Sequence, residues 1–426
     1  MINFNTCGNS LKRRILRFTK IISYGFAKPT QRFVSDMVFG IIASSSCKFT
    51  EIGRALKEDI SLKKTVDRLG RNLANFSQTE NLMENYLANV SENFGSNTML
   101  LLDGSDVTKP CSKKMEAIGT VFDGSTGEYG DGYWTMGAVA LTDKNTQPIP
   151  VYEKLYPCKK QGGAGFKAET ANALQYLREK FDNSIPRIFD RGFDSGDTFI
   201  DLVDNNEKFI IRVNQNRFAV HKGSKTKIND IARGLVCTHE LIFHSRTGNV
   251  STCKIGMTRI TLPKTKHLKV TLKLNLVVCK EFGEKPLMLY TNLDEEVETV
   301  AVRVVKAYLM RWRIEELYAF KKQTLHFEDF RVRSLQSIQN LDILLTVAIG
   351  FIGVLCENVN HEMLATELIC ASKRIQKYSV FLRTTKFFYY AILDGINYVL
   401  AHLRYGISHY FKAKITAYHQ FCLPFI

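Results

Sequence analysis

Two strand-like segments, the apolar Thr98–Leu102 and the shorter Pro186–Phe189 with Ile188 at its centre, each lead directly into an aspartate, Asp103 and Asp190. Two more strand-like runs, Tyr133–Leu141 and Ile149–Leu155, lie between them, with a helical stretch over Phe166–Phe181. A short helix at Thr198–Val203 and a strand at Phe209–Val213 follow. Three strands, a helix, then alternating strand and helix is the pattern of an α/β sheet. Such sheets gather ligands at the carboxyl ends of their strands. An acid there stands close to the chemistry, although one aspartate after one strand is as readily a turn or cap residue.

The flanks have a different texture. The first 95 or so residues read as helices. Among them Phe49–Leu56 and Ser61–Leu73 are separated by a break near Asp59. Ser61 is a good N-cap, and Leu62, Val66, Leu69 and Leu73 recur at helical spacing. Lys63, Lys64, Arg68 and Arg71 fall on the other positions. This pair reads as a helix-turn-helix whose second helix enters a DNA groove, or equally as an ordinary helical hairpin with a solvated basic face. Residues 216–293 are β-rich: Glu240–His244, Ser251–Leu262, Lys269–Val278 and Leu287–Thr291 read as strands. From about Val297 the chain is helical again.

Charge follows the same divisions. The chain carries 58 Lys and Arg against 42 Asp and Glu, a net +16. Residues 1–35, 216–285 and 371–426 together hold +24, which leaves the remainder at −8. Basic arms around an acid-rich middle suit a polyanion partner handled by carboxylate-held metal. The C-terminal segment interleaves Lys373, Arg374, Lys377, Arg383 and Lys386 with Tyr378, Phe381, Phe387, Phe388, Tyr389 and Tyr390. That pattern fits a DNA or protomer contact, and equally a buried aromatic helix pair with a basic rim. Ten scattered cysteines form no two-residue-spaced pair, so reduced thiols of a cytosolic protein are expected. The longest apolar run, Ile343–Cys356, is short for a membrane span, and Met1–Tyr24 lacks the apolar core of a signal peptide.

The most specific pattern is YLMRWRIEELYAFKK at Tyr308–Lys322. At about 100° per residue, Tyr308, Arg311, Glu315 and Lys322 share an arc of roughly 60° on one helix. Met310, Ile314, Leu317 and Phe320 lie roughly opposite, and Glu316 falls off the polar arc. A helix chosen at random with such a face would be a solvated one carrying spaced charge pairs. Here the spacing of tyrosine, two residues, arginine, three residues, glutamate, six residues, lysine resembles the signature of the type 4 insertion-sequence family of DDE transposases. DGSDVTKP at Asp103–Pro110 and IFDRGFDSG at Ile188–Gly196 resemble that family's first and second aspartate motifs. FIIRVNQNR, which contains Arg212, resembles the strand that follows. The resemblance covers about residues 45–360.

The resemblance implies an α/β fold: an RNase H-like catalytic domain with a β-rich insertion, flanked by helical N- and C-terminal regions. The expected divisions are a helical DNA-binding region over 1–96, a first part of the catalytic core over 97–215, and the basic insertion over 216–293. A second part of the core with the glutamate helix would cover 294–360, and a helical C-terminal region 361–426. Asp103, Asp190 and Glu315 would be the catalytic triad and would hold two Mg²⁺ or Mn²⁺ ions. Tyr308, Arg311 and Lys322 would line DNA beside them, with Arg212 and, on the N-terminal helix, Lys63, Lys64 and Arg68 as further DNA contacts. Asp106 and Asp194 do not match triad positions.

Three carboxylates are hard oxygen ligands suited to those ions, and no His or Cys cluster competes for zinc. The expected activity is metal-dependent cleavage of double-stranded DNA at element ends and strand transfer into target DNA, by two protomers on paired ends, in the bacterial cytoplasm and without a membrane. A DNA-binding derivative that no longer cuts, and a nuclease without strand transfer, are the alternatives.

Overall fold

The computed structural model describes residues 2–408, apart from 125, 245–249, 267, 295, 296, 376, 378 and 381–385. Arg246, Tyr378, Phe381, Arg383 and Cys422 lie outside the described residues. The chain begins with five helices: α1 (Phe4–Ile22), α2 (Lys28–Ser44), α3 (Phe49–Leu56), α4 (Leu62–Ala74) and α5 (Thr79–Val90). The expected helix pair is present as α3 and α4, and Ser61 caps α4 by accepting from the Lys64 N–H. The pair packs tightly because Gly53 leaves room for Leu62, which would lie 2.8 Å from a Cβ at that position.

The next strands are β1 (Met99–Thr108), β2 (Gly119–Phe122), β3 (Tyr129–Leu141) and β4 (Pro148–Tyr156). Helix α6 (Phe166–Lys180), β5 (Arg187–Phe189), α7 (Gly196–Asp204) and β6 (Phe209–Arg212) follow. In space these strands run β4-β3-β1-β5-β6. The first three are antiparallel, and β1, β5 and β6 are parallel. This is the RNase H-like order. Leu100, Leu101, Leu102, Ile188, Phe189, Ile210 and Ile211 are buried at its centre, as expected of parallel strands covered on both faces.

The insertion contains β7 (Phe218–His221), β8 (Ser224–Lys227), helix α8 (Ile228–Gly234), β9 (His239–His244), β10 (Val250–Leu262), β11 (Leu272–Lys280) and β12 (Leu287–Thr291). It does not form a sheet of its own. β12 pairs antiparallel with β6, so the insertion continues the central sheet to 12 strands, in the order β6-β12-β11-β10-β7-β8.

Two helices, α9 (Val297–Leu309) and α10 (Trp312–Ala319), lead to α11 (Leu335–Glu357), α12 (Met363–Ala371) and α13 (Tyr389–Ala401). Helix α11 is long and apolar enough to cross a membrane by length and composition, but 83% of its most apolar window is buried in the fold. It packs on β4, α2, α4, α5 and α13. The N-terminal and C-terminal helices therefore meet around one buried core helix. The asparagine Asn340 on α11 donates to the carbonyls of Leu73 and Phe76 and ties α4 to it. Phe387, Phe388 and Tyr389 of the basic aromatic segment are buried, which favours the buried-aromatic alternative for those three residues.

Candidate active site

Backbone pairing sets the first two acids side by side. β1 pairs in parallel with β5 only over Leu100–Leu102, opposite Arg187–Phe189. Asp103 and Asp190 are the next residues on each chain. Asp103 does not end its strand, as the sequence pattern suggested. β1 continues to Thr108 because β3 keeps pairing with it, from Asp103↔Gly137 to Thr108↔Gly132. Asp190 does end β5 and opens a tight turn that leads to α7.

The glutamate comes from a helix that is not continuous. The expected single helix over Tyr308–Lys322 is the end of α9, then α10, then a wide π turn over Phe320–Thr324. At the junction the bonds are three residues apart: Arg311 N–H to Tyr308 O at 2.9 Å, Arg313 N–H to Met310 O at 2.9 Å and Ile314 N–H to Arg311 O at 3.1 Å. Such tight turns advance the helical phase, and a π turn retards it. Steps of 100° therefore misplace the last residue of the pattern.

Tyr308, Arg311 and Glu315 face the two aspartates. The Tyr308 hydroxyl donates to Asp190 Oδ1 at 3.0 Å. Arg311 donates to Asp103 Oδ2 at 3.0 Å and also to Glu315 Oε1. Arg212 stands 3.7 Å from Asp190 Oδ1 and is half-exposed. Lys322 goes elsewhere: its Nζ is 2.8 Å from Asp106 Oδ2 and 3.5 Å from Glu328 Oε1. Arg311, expected to line DNA, is thus turned inward, with its side chain only 10% exposed.

Burial pushes the Asp103 carboxyl up to about 7, with the Asp190 and Glu315 charges adding to the rise and Arg311 and the Gly104 N–H opposing it. Burial also raises the Tyr308 hydroxyl to about 12, helped by the Asp190 charge. For Arg311, burial works against its charge, but Tyr308, Asp103 and Glu315 outweigh it and hold it above the ordinary arginine value.

Residues outside the expected triad and DNA contacts complete the frame. The Tyr318 hydroxyl donates to the Asp103 carbonyl at 2.8 Å and fixes α10 to β1. Gly137, opposite Asp103, makes room for it: a Cβ there would sit 2.5 Å from the Tyr318 Oη. Lys109 of the first aspartate motif is buried and donates to the carbonyls of Glu328 and Phe330. The side chain of Asp194 in the second motif is buried and held by Arg217 at 2.6 Å and by the Asn214 N–H at 2.7 Å. Trp312, beside Arg311, is 54% exposed.

The basic residues elsewhere in the chain divide. Lys63 and Lys64 are exposed on α4. Arg68 instead bonds Asp36 at 2.8 Å and Glu58 at 2.9 Å inside the helical bundle. In the insertion, Arg217, Lys254 and Arg259 are paired with acids, while Lys222, Lys225 and Lys227 are exposed on the β7–β8 hairpin at the sheet edge.

The family model described as the transposase DDE domain matches residues 97–351. The chain belongs to the DDE transposase family. It is therefore an enzyme that cleaves and transfers DNA strands, and members of this family use divalent metal ions. No curated protein matches the transposase. Among solved structures it is similar to a piggyBac transposase synaptic complex with hairpin DNA, at 10% identity over 98% of this chain and 85% of that one, with a TM-score of 0.42. It is also similar to the NurA nuclease from Sulfolobus solfataricus, at 10% identity over 61% of this chain and 97% of that one, with a TM-score of 0.24. At these scores neither likeness bears on the transposase's site.

Do the residues present fit a divalent ion? Among the described residues no three His, Cys, Asp or Glu side chains are grouped closely enough to hold one as they stand. The donor chemistry nevertheless fits. Asp103 and Glu315 direct one oxygen each at a single cationic group, the Arg311 guanidinium. Asp190 and Glu315 both raise the Asp103 carboxyl through their charges, so the three acids share one field. Hard oxygen donors of this kind would suit a divalent cation.

Proposed function

We propose that the transposase is of the type 4 insertion-sequence group, with Tyr308, Arg311, Glu315 and Lys322 as its signature residues. Asp103, Asp190 and Glu315 form the cleavage centre and would hold two Mg²⁺ or Mn²⁺ ions; when bound, such ions would supply activation of the attacking water or 3′-hydroxyl and charge stabilisation of the leaving oxygen. The observation that carries this reading is the adjacency of Asp103 and Asp190 on parallel neighbours, with Glu315 joined to Asp103 through one arginine.

The chain's own residues then do four things. Tyr308 and Arg212 hold the Asp190 carboxylate at the strand end. Tyr318 holds the Asp103 backbone against α10, which fixes the distance from which Glu315 approaches. Arg212, Lys63, Lys64 and the lysines of the β7–β8 hairpin supply positive charge to a DNA backbone, and each charge-assisted contact contributes roughly 1.5–3 kcal/mol. Trp312 offers an aromatic face on which a base can stack. Two copies of the chain would work on paired element ends in double-stranded DNA.

The test is a strand-cleavage assay with Mg²⁺ on DNA that carries the element's own ends. Glu315→Ala should abolish cutting while leaving DNA binding largely intact. Cutting that survives in this variant removes Glu315 from the centre. Joined products, as opposed to cut ones alone, separate transposition from nuclease action.

A further inference from the structure

Asp103 and Glu315 share one cation. Arg311 donates through one terminal nitrogen to Asp103 Oδ2 at 3.0 Å and through the other to Glu315 Oε1. Its third nitrogen, Nε, is buried without a hydrogen-bond partner among the described residues. Asp190 does not share this cation and is held by Tyr308 and Arg212 instead. The guanidinium therefore fills the gap between the two carboxylates that come from different elements, β1 and α10. Without it, two like charges would face each other in a largely buried place, which is unfavourable for both.

A carboxylate oxygen that accepts from a guanidinium directs at it the lone pair that a metal ion would take. One planar cation and a metal ion cannot both occupy that place. We infer that Arg311 is a positioning residue that serves as the internal counterion of Asp103 and Glu315 in the metal-free enzyme, and that it gives up both carboxylates when the centre loads. The inference rests on the reading of Asp103 and Glu315 as metal ligands. It differs from a plain DNA contact, because it assigns Arg311 a role before DNA arrives. Once released, the fork matches a phosphate in the same bidentate way that it matched the carboxylates. Metal and DNA would then each favour the binding of the other, as linkage requires.

The experiment measures Mn²⁺ binding to the full chain without DNA, by titration calorimetry, and thermal melting with and without Mn²⁺. Arg311→Gln should melt lower than wild type without metal, yet bind Mn²⁺ about tenfold or more tightly, because the ion no longer displaces charge-assisted hydrogen bonds. Arg311→Lys, which keeps a charge without the fork, should fall between the two and serves if the glutamine variant does not fold. Equal or weaker Mn²⁺ binding in both variants overturns the inference, as does the absence of binding in all three proteins. Glu315→Gln separates the layers. If it binds Mn²⁺ as well as wild type does, the ligand assignment itself fails. If it loses the ion and the arginine variants gain nothing, only the counterion role fails.

Discussion

Replacing Lys321 with methionine should cost about 3–5 kcal/mol, because it leaves two buried carboxylates without their cation. Lys321 Nζ lies 2.9 Å from Glu153 Oε1 and 2.5 Å from Asp342 Oδ1, and none of the three side chains is more than 7% exposed. Burial already lifts both acids above their ordinary range, and Lys321 is the cation that opposes the rise. Removing it raises both further, so in the variant at least one folds as the neutral acid. A carboxyl whose folded pKa is raised lowers stability at high pH, and that loss is relieved as pH falls through the folded pKa. The cost should therefore be largest near pH 8 and shrink toward pH 5. For a chain of this length, about 4 kcal/mol corresponds to a fall in melting temperature of about 4–5 °C. The assay is thermal or urea unfolding of wild type and variant at both pH values. A loss under about 1 kcal/mol at pH 8, or the same loss at both, refutes the reasoning. The network matters for function because Glu153 is on β4, Asp342 on α11 and Lys321 in the turn after α10. It anchors the glutamate helix to the sheet and the core helix together.

Tyr318→Phe removes the hydroxyl that donates to the Asp103 carbonyl. It should cost about 1 kcal/mol of stability and slow strand cleavage several-fold with DNA affinity unchanged, measured by single-turnover cutting and a binding titration. Asp103 gives a pH dependence of its own. Its carboxyl is raised from 3.8 to about 7, so metal-free wild type should lose stability as pH rises across that interval and level off above it. In Asp103→Asn the slope in that window should be smaller, as read by urea midpoints across pH.

Much of this site is legible in the sequence. Strands buried on both faces read as short runs rich in apolar residues, so TMLLL, and IPRIF despite its Arg187, mark the two acids that follow them. Glu315 was marked by the spacing of its helix. In the insertion, β11 is legible by its alternation, KVTLKLNLVV, and β10 by its strand-forming residues. Their union with the core is not, because pairing of β12 with β6 joins residues nearly eighty apart and leaves no local trace. The short strands β2, β7 and β8 have too few residues for a period to appear. The phase of Lys322 was lost for a different reason. A tight junction at Arg311 and a π turn at Phe320–Thr324 break the 100° step, and neither is encoded by a glycine or proline. The inward turn of Arg311 and the burial of Arg68 in ion pairs depend on acids distant in the chain. Asp103 is 208 residues from Arg311 and Asp36 is 32 residues from Arg68. A charge count treats such arginines as free, whereas the fold spends them on internal carboxylates.

The central claim is that Asp103, Asp190 and Glu315 bind the metal that cuts DNA. The most direct test is a change of metal preference. Asp190→Cys puts a soft sulfur where a hard oxygen stood. In cleavage of DNA carrying the element's ends, this variant should be inactive with Mg²⁺ and recover cutting with Mn²⁺, while wild type uses both. Equal cutting with Mg²⁺ by variant and wild type would contradict the assignment.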